Sequence, residues 1–173
     1  MANPLYGQNK ADNAIDHATP TSGSFGMHEY YEVVTCDGQA DDDDVAASLS
    51  IVIPPQAIIV EAALVAHKLA TSNNGEMALE VHNAAVAVDA ASGGTEIVGA
   101  DVASNLSTPD DDLDVSSDAT VGVVIHMGTL ANVERSTAVT YLQVTAKDDQ
   151  SSMTGAPEVG VYVRWFGQAA IKI

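Results

Sequence analysis

Two histidines, His67 and His82, come closest to a pair of side chains that could do chemistry. They lie on either side of Asn74-Gly75, within runs in which apolar and polar residues alternate. Strand, Asn-Gly turn and strand is a strong signal for a β-hairpin. With Asn74 and Gly75 at the centre of the turn, His67 and His82 would pair across the two strands, with their Cβ atoms about 5 Å apart.

That pairing also places Glu61 and Glu80 on the face that carries both histidines. Zinc in proteins takes about four ligands, and two imidazoles with neighbouring carboxylates are of the right chemical type. A simpler interpretation, which we favour, is a pair of exposed strand histidines that titrate near neutral pH. His67 and His82 are therefore metal candidates by geometry alone, and the sequence predicts no bound metal and no other cofactor.

Two acidic runs, at residues 41–44 and 110–114, contain the oxygen ligands that calcium prefers. Neither run has the spaced Asp-x-Asp-x-Asp-Gly pattern with a distal Glu. Adjacent aspartates on an extended chain also point in different directions, so they seldom share one ion. We therefore expect solvated acidic loops at both places.

The sequence contains no recognisable catalytic motif. Its one cysteine, Cys36, has no histidine close to it in sequence, and a single cysteine forms no internal disulfide. There is no Gly-x-Ser-x-Gly motif and no glycine-rich loop that opens a helix after a strand. Carboxylate pairs for glycoside hydrolysis exist in any acidic protein, and nothing singles one out here. A β-sandwich enzyme, which would need a cleft with perturbed carboxylates, is thus the least favoured class, and a binding or assembly protein is favoured.

The aromatic residues offer another possibility, a platform on which sugar rings stack. The candidates are one tryptophan and four tyrosines: Trp165, Tyr30, Tyr31, Tyr141 and Tyr162. At 5% of the chain, however, aromatic residues are few for this role. We expect Trp165 in the core and the tyrosines at strand edges or at a subunit contact.

The charge of the chain limits its partners. Its 173 residues include 24 Asp and Glu but six Lys and Arg, for a formal net charge of −18. This charge repels phosphate backbones and anionic lipid headgroups, so we expect no nucleic-acid partner and no membrane partner. The start of the chain lacks the features of a secretory signal, and no apolar run approaches the roughly 18 residues of a membrane helix. We therefore expect synthesis in a cytoplasm.

Strands are the elements that would position these residues. Besides the two strands of the hairpin, alternating apolar residues between Gly, Asp and Ser clusters predict strands at residues 29–35, 45–53, 96–98, 121–127, 139–145, 159–165 and 169–173. An Ala-rich helix over residues 76–91 is the alternative to the second hairpin strand. Alternation at Met77, Leu79 and Val81 favours the strand. Many short strands separated by turn signals are typical of a sandwich or jelly roll.

The predicted fold is all-β, a jelly-roll-like antiparallel β-sandwich over residues 29–173. Residues 1–28 are poor in large apolar side chains and rich in Gly, Ser, Thr, Asn and Asp. This composition predicts an extended N-terminal arm that orders only against a partner, and a tail with no role is the alternative.

The segment Ile53-Pro-Pro-Gln-Ala-Ile-Ile, with the strand, Asn-Gly turn and strand that follow it, resembles small virion proteins of tailed bacteriophages. The same is true of the last loop and its alternating, aromatic-tipped strand, Thr154-Gly-Ala-Pro-Glu-Val-Gly-Val-Tyr-Val-Arg-Trp-Phe166. The similarity covers residues 45–90 and 137–166.

This resemblance implies a non-enzymatic capsid decoration (cement) protein. Such a protein would bind the major capsid protein on the outer surface of the virion and stabilise the shell. It would be a homo-oligomer, and we favour a trimer because three-fold sites are common on capsid lattices. The alternative is a glycan-binding β-sandwich module of a viral fibre or spike, for which a cluster of exposed aromatic residues would be the distinguishing feature.

Overall fold

The computed structural model describes residues 26–38, 40, 43–72, 75–99, 112–127, 138–147 and 154–173. Within these ranges the chain forms strands and no helix, so none of the described residues belongs to a helix that could span a membrane. The strands, numbered β1 to β10 in chain order, are Gly26–Thr35, Val45–Ile53, Ile58–Lys68, Glu76–His82, Thr95–Val98, Leu113–Asp114, Val124–His126, Thr140–Ala146, Glu158–Gly167 and Ile171–Lys172.

The strands form two antiparallel sheets. The first sheet has the order β1-β9-β3-β7, and the second has the order β10-β2-β8-β4-β5, with β6 paired to β4. When the two-residue strands β6 and β10 are set aside, β1 pairs with β9, β2 with β8, β3 with β7 and β4 with β5. Strands of the first half of the chain, β1 to β4, thus pair with strands of the second half. The pairing of β9 with β3 and of β8 with β4 then joins these pairs into two sheets. The fold is therefore a jelly-roll β-sandwich, which confirms the predicted class.

An apolar core lies between the two sheets. β9 shows how alternation builds it, because Val161, Val163 and Trp165 are buried while Arg164 faces outward. The second sheet contributes long aliphatic side chains that are almost completely buried: Leu49, Met77, Leu79 and Leu142. Because this interior layer is closely packed, both sheets are rigid and hold the side chains on their outer faces in fixed positions.

The predicted hairpin between β3 and β4 is wrong. β3 lies in the first sheet between β9 and β7, whereas β4 lies in the second sheet between β8 and β5. Both strands are amphipathic, and Leu64 of β3 and Leu79 of β4 belong to the same apolar core. Two amphipathic strands can bury their apolar sides by facing each other across a core as well as by lying side by side in one sheet. His67 and His82 therefore belong to different sheets and do not pair.

Most of the other strand predictions are confirmed. β2 has the predicted bounds, and Glu76–His82 is a strand and not part of a helix. β6 was not predicted and lies in the expected acidic loop. β1 begins at Gly26, inside the predicted arm of residues 1–28. The rest of that arm lies outside the described residues and stays a prediction.

Candidate functional site

The two candidate histidines have opposite surroundings. His67 is exposed on the first sheet, where its Nε2 is hydrogen-bonded to the hydroxyl of Tyr31. His82 is buried in the second sheet, and its Nε2 lies 3.3 Å from Oε2 of Glu80. This Nε2 has no hydrogen-bond partner among the described residues. Burial lowers the pKa of His82, although the negative charge of Glu80 acts in the opposite direction. Burial therefore favours the neutral form of His82.

Four charged residues, which we call the ionic cluster, meet beside His82. The Nζ atom of Lys147 lies 2.7 Å from Oδ1 of Asp43, 2.9 Å from Oε1 of Glu80 and 3.6 Å from Oε2 of Glu96. The side chains of Glu80 and Glu96 are only 4% and 7% exposed. Buried carboxylates need a counter-charge, and the Lys147 ammonium group supplies it in the way a bound metal cation otherwise would.

The ionic cluster keeps Lys147 protonated. Burial by itself would lower the pKa of Lys147, but hydrogen bonds and ion pairs with Asp43 and Glu80 outweigh it and raise the pKa above its ordinary value. A catalytic lysine must lose its proton to act as a nucleophile, which requires the opposite shift. The arrangement is that of a structural contact.

The candidate calcium ligands do not converge on one cation site in the described part of the chain. Asp43 binds Lys147, and Oδ1 of Asp114 accepts a hydrogen bond of 2.8 Å from the backbone N–H of Ser116. Within the described ranges, no group of three or more His, Cys, Asp or Glu side chains could hold a metal ion. Most other aspartates of the two acidic runs lie outside these ranges, and there the expectation of solvated acidic loops stays a prediction.

Residues 83–94, between β4 and β5, form a strap across the outer face of the second sheet. Gln143 of β8 holds its middle, because the side-chain amide accepts from the N–H of Val86 at 3.0 Å and donates to its C=O at 2.8 Å. Ser92 holds its end by donating its hydroxyl to Glu80. A cavity of about 350 Å³ remains next to the strap. The protein thus covers the part of this outer face that lies over β4 and β8 with its own chain.

The outer face of the first sheet, which we call the open face, has no such cover among the described residues. Its side chains lie in rows across β1, β9 and β3. One row is apolar: Met27, Phe166 and Ile58 occupy paired positions and are 54%, 44% and 37% exposed. Contiguous exposed apolar side chains of this kind mark binding surfaces when they are surrounded by polar residues.

The next row of the open face is charged. Arg164 lies between Glu29 and Glu61 in the strand register, and its guanidinium pairs with Glu61 at 2.7 Å. The hydroxyl of Tyr162 donates to Glu29 at 3.4 Å. The row therefore carries more negative than positive charge, and a partner surface with basic groups would complement it.

A third feature of the open face is a bridge between Tyr31 of β1 and His67 of β3. The two side chains meet above Gly160 of the intervening strand β9. A Cβ atom at Gly160 would lie 2.8 Å from the imidazole ring, so only glycine leaves room for the bridge. The bridge fixes the exposed Tyr31 ring on the surface.

The candidate aromatic platform, which the sequence disfavours, assembles only in part. Trp165 is 2% exposed and belongs to the core, as the sequence predicts. Tyr30 and Tyr141 are half-buried. Tyr31 and Tyr162 occupy paired positions on the open face, where Tyr31 is 49% exposed. Among the described residues, the exposed aromatic surface is thus concentrated on the open face.

Cys36 is not a reactive group. It is buried, and burial raises the pKa of its thiol to about 12. Because the thiolate is the nucleophile and the metal ligand, a thiol that stays protonated serves as neither.

Two features were missed by sequence reasoning. Lys147 and Glu96 were not among the predicted site residues. The composition does carry a signal for Lys147, because basic residues are few in this acidic chain, so a lysine that follows a strand is expected to pair with several carboxylates. The open face was missed because alternation shows which side chains point away from the core but not whether other parts of the chain cover them.

Comparison with protein-family models gives no match, and comparison with curated proteins gives none either. Two solved structures are similar in part. One is described as the cyanophage Pam1 capsid asymmetric unit, with 18% identity, coverage of 84% of this chain and 86% of that chain, and a TM-score of 0.41. The other is described as the capsid of Ralstonia phage GP4, with 15% identity, coverage of 87% and 89%, and a TM-score of 0.45. Similarity at this level assigns no function, and the fold rests on the strand pairing described above.

Proposed function

We propose that this protein is a non-enzymatic virion structural protein that binds the outer surface of a bacteriophage capsid through its open face. The observation that carries the proposal is the difference between the two outer sheet faces. The strap covers part of the second sheet, whereas the first sheet exposes the apolar row of Met27, Ile58 and Phe166. A protein that leaves such a row accessible while its own chain covers part of the opposite face has a surface suited to a partner.

Two properties of the molecule support this role. Jelly rolls are found in viral capsid proteins and in lectins, which act by contact, and we use the fold here as an analogy. The net charge of −18 disfavours contact with packaged DNA and suits the solvent side of a shell. The partner we propose is a patch on the major capsid protein that is apolar at its centre and basic opposite Glu29.

The N-terminal segment belongs to the same proposal. Residues 1–25 precede β1, which begins beside the apolar row at Met27. An arm in this position would add contact area on the shell without enlarging the core. Its deletion should remove residues 1–25 and not 1–28, because Gly26–Thr35 is a strand of the first sheet. We expect the deletion to weaken attachment and to leave the domain folded.

Co-sedimentation with capsids that lack this protein tests the role of the open face. Ile58→Glu places a charge in the apolar row, and Ile171→Glu, on β10 of the second sheet, is the matched control; the two isoleucines are 37% and 44% exposed. We expect wild type and Ile171→Glu to co-sediment with capsids and Ile58→Glu to bind at least about tenfold more weakly. Equal binding by both variants, or no binding by the wild type, would contradict the proposal.

The second candidate is a glycan-binding module, which the exposed Tyr31 and Phe166 on one face favour. Sugar rings stack on accessible aromatic side chains, so binding would depend on Tyr31. A glycan array with the wild type and Tyr31→Ala distinguishes the two roles. Binding to an array glycan that Tyr31→Ala loses, without binding to capsids, would put the glycan role first.

A further inference from the structure

A second contact surface is indicated by the edge of the first sheet at β1. The edge of a sheet is a template for pairing with another chain, and natural proteins commonly keep their edge strands very short. Among the described strands, β7, β5 and β10 are edges of three, four and two residues. β1 is also an edge, and it has ten residues.

β1 lacks several of the features that protect long edges, although it carries the charged Glu29 and Glu32. It contains no lysine and no proline, and its register with β9 runs from Gly26 to Thr35 without a bulge. Its outward side chains include the exposed Met27, Tyr31 and Val33. Since every second residue of an edge strand turns its N–H and C=O away from the sheet, β1 offers a row of donors and acceptors.

No strand of the described part of the chain pairs with the outer edge of β1. A groove of about 480 Å³ lies between the last residues of β1 and the strand β2, with Glu32, Thr35 and Ser48 among its lining residues. The second sheet therefore does not close over this end of β1. The carboxylate of Glu32 already has hydrogen-bond partners in the second sheet. Its Oε2 accepts from the backbone N–H of Ser50 at 2.9 Å and from the Ser50 hydroxyl at 3.1 Å.

We propose that β1 pairs antiparallel with β1 of a second copy of this chain, around a two-fold axis, so that the two first sheets become one continuous sheet. The positions of the charges favour a second copy as the occupant. Glu29 and Glu32 lie on opposite faces of β1, so they cannot face each other when both open faces are on the same side, and a register centred on Tyr31 also keeps each of them away from its own counterpart. When Tyr31 faces Tyr31 of the second copy, Glu29 faces Val33 and Glu32 faces Tyr30.

This pairing is independent of the proposed capsid role. It would double the open face, because the apolar and charged rows of the two copies would lie on one continuous surface. It also predicts a dimer or an assembly with an even number of copies. The sequence favoured a trimer, and a trimer without dimers would overturn the pairing.

The test is a matched pair of charge substitutions in the full-length chain. Val33 of β1 is 42% exposed and Val124 of β7, at the opposite edge of the same sheet, is 40% exposed. In the proposed register, Val33→Glu places two new carboxylates opposite Glu29, whereas Val124→Glu lies far from the axis. Light scattering during size-exclusion chromatography over a range of concentrations measures the dimer dissociation constant.

We expect the wild type and Val124→Glu to dimerise alike, and Val33→Glu to dissociate at least about tenfold more readily, because like charges that face each other across an interface are strongly unfavourable. Val33→Lys, which places an ammonium group opposite Glu29, should dimerise at least as tightly as the wild type. A wild type that stays monomeric would overturn the proposal. So would equal dimerisation by Val33→Glu and the wild type, or equal loss in Val33→Glu and Val33→Lys. Circular dichroism of each variant confirms that the comparison is between folded chains.

Discussion

At the scale of single residues, Lys147 holds the ionic cluster together. Lys147→Met keeps much of the aliphatic stem but removes the ammonium group that lies 2.9 Å from the buried Glu80. Removing one partner of a buried ion pair leaves an uncompensated charge, so we expect the free energy of unfolding to fall by about 3 kcal/mol. Urea-induced unfolding followed by circular dichroism measures the change.

Lys68→Met is the matched control for this prediction. Lys68 pairs with Glu158 at 3.9 Å, and the two side chains are 56% and 41% exposed. Exposed pairs contribute about 0–1 kcal/mol, so this variant should stay close to the wild type. Equal losses in the two lysine variants would show that the ionic cluster has no special role in stability.

His82 should make stability depend on pH in a defined direction. Burial lowers the pKa of His82 in the folded protein below the value of 6.5 expected in an unfolded chain. The unfolded state therefore binds more protons as the pH falls below about 6.5, and the contribution of this residue to stability is complete above that pH and lost as the pH falls toward the lowered pKa. His82→Gln removes the contribution.

Unfolding free energies measured between about pH 7.5 and about pH 5 check this sign. As the pH falls, the unfolding free energy of the wild type should decrease more than that of His82→Gln. His67→Gln, which removes an exposed imidazole of the other sheet, is the matched control for loss of a histidine. Parallel curves for the wild type and His82→Gln would contradict the prediction.

The residue scale also shows the limit of prediction from sequence. The core positions of β9 follow directly from alternation, and Trp165 was correctly placed in the core. Glu80 and His82 were expected on an exposed face, and both are buried. Alternation correctly put them on the side away from the apolar core, but only the strap, which folds back over that side, makes the position buried.

At the scale of elements, the strap depends on close contact at Gly94. A Cβ atom there would lie 2.5 Å from Nε2 of His82 and 2.7 Å from Oε2 of Glu80, whereas a Cβ atom at Gly93 would meet nothing within 4 Å. Gly94→Ala should therefore displace the end of the strap and destabilise the protein by about 1–3 kcal/mol. Gly93→Ala should change stability by no more than about 0.5 kcal/mol.

Hydrogen exchange locates the effect of these two glycine variants. Gly94→Ala should speed exchange in residues 83–94, and exchange in the first sheet should stay as in the wild type. If both variants, or neither, loosen the strap, then contact at Gly94 is not what holds it down.

The failed hairpin prediction has its cause at the element scale as well. In the jelly roll, the links from β1 to β2, from β2 to β3 and from β3 to β4 each cross from one sheet to the other. Local patterning predicts where a strand begins and ends, and it did so for β2. It does not determine the neighbour of a strand, because β1, β2 and β3 all pair with strands that follow much later in the chain, namely β9, β8 and β7.

At the scale of the whole molecule, an excess of acidic side chains remains after the ion pairs are formed. Lys68, Lys147 and Arg164 each pair with carboxylates in the described part of the chain. Six basic residues cannot neutralise 24 acidic ones, so the surface carries a strong negative field. Self-repulsion in that field opposes the compact state and also opposes the approach of a second copy.

Added salt should therefore stabilise this protein. Raising sodium chloride from about 0.1 M to about 1 M shortens the Debye length from about 10 Å to about 3 Å, which screens repulsion between separated surface carboxylates. The ionic cluster is largely shielded from solvent and should lose less of its attraction than exposed pairs do. We expect the midpoint of thermal unfolding to rise with salt, in the wild type and in Lys68→Met alike. A midpoint that falls would mean that attraction in the ion pairs outweighs repulsion among the excess carboxylates. Calorimetry at dilutions where the chain is monomeric separates this effect from stabilisation by salt-promoted pairing of copies.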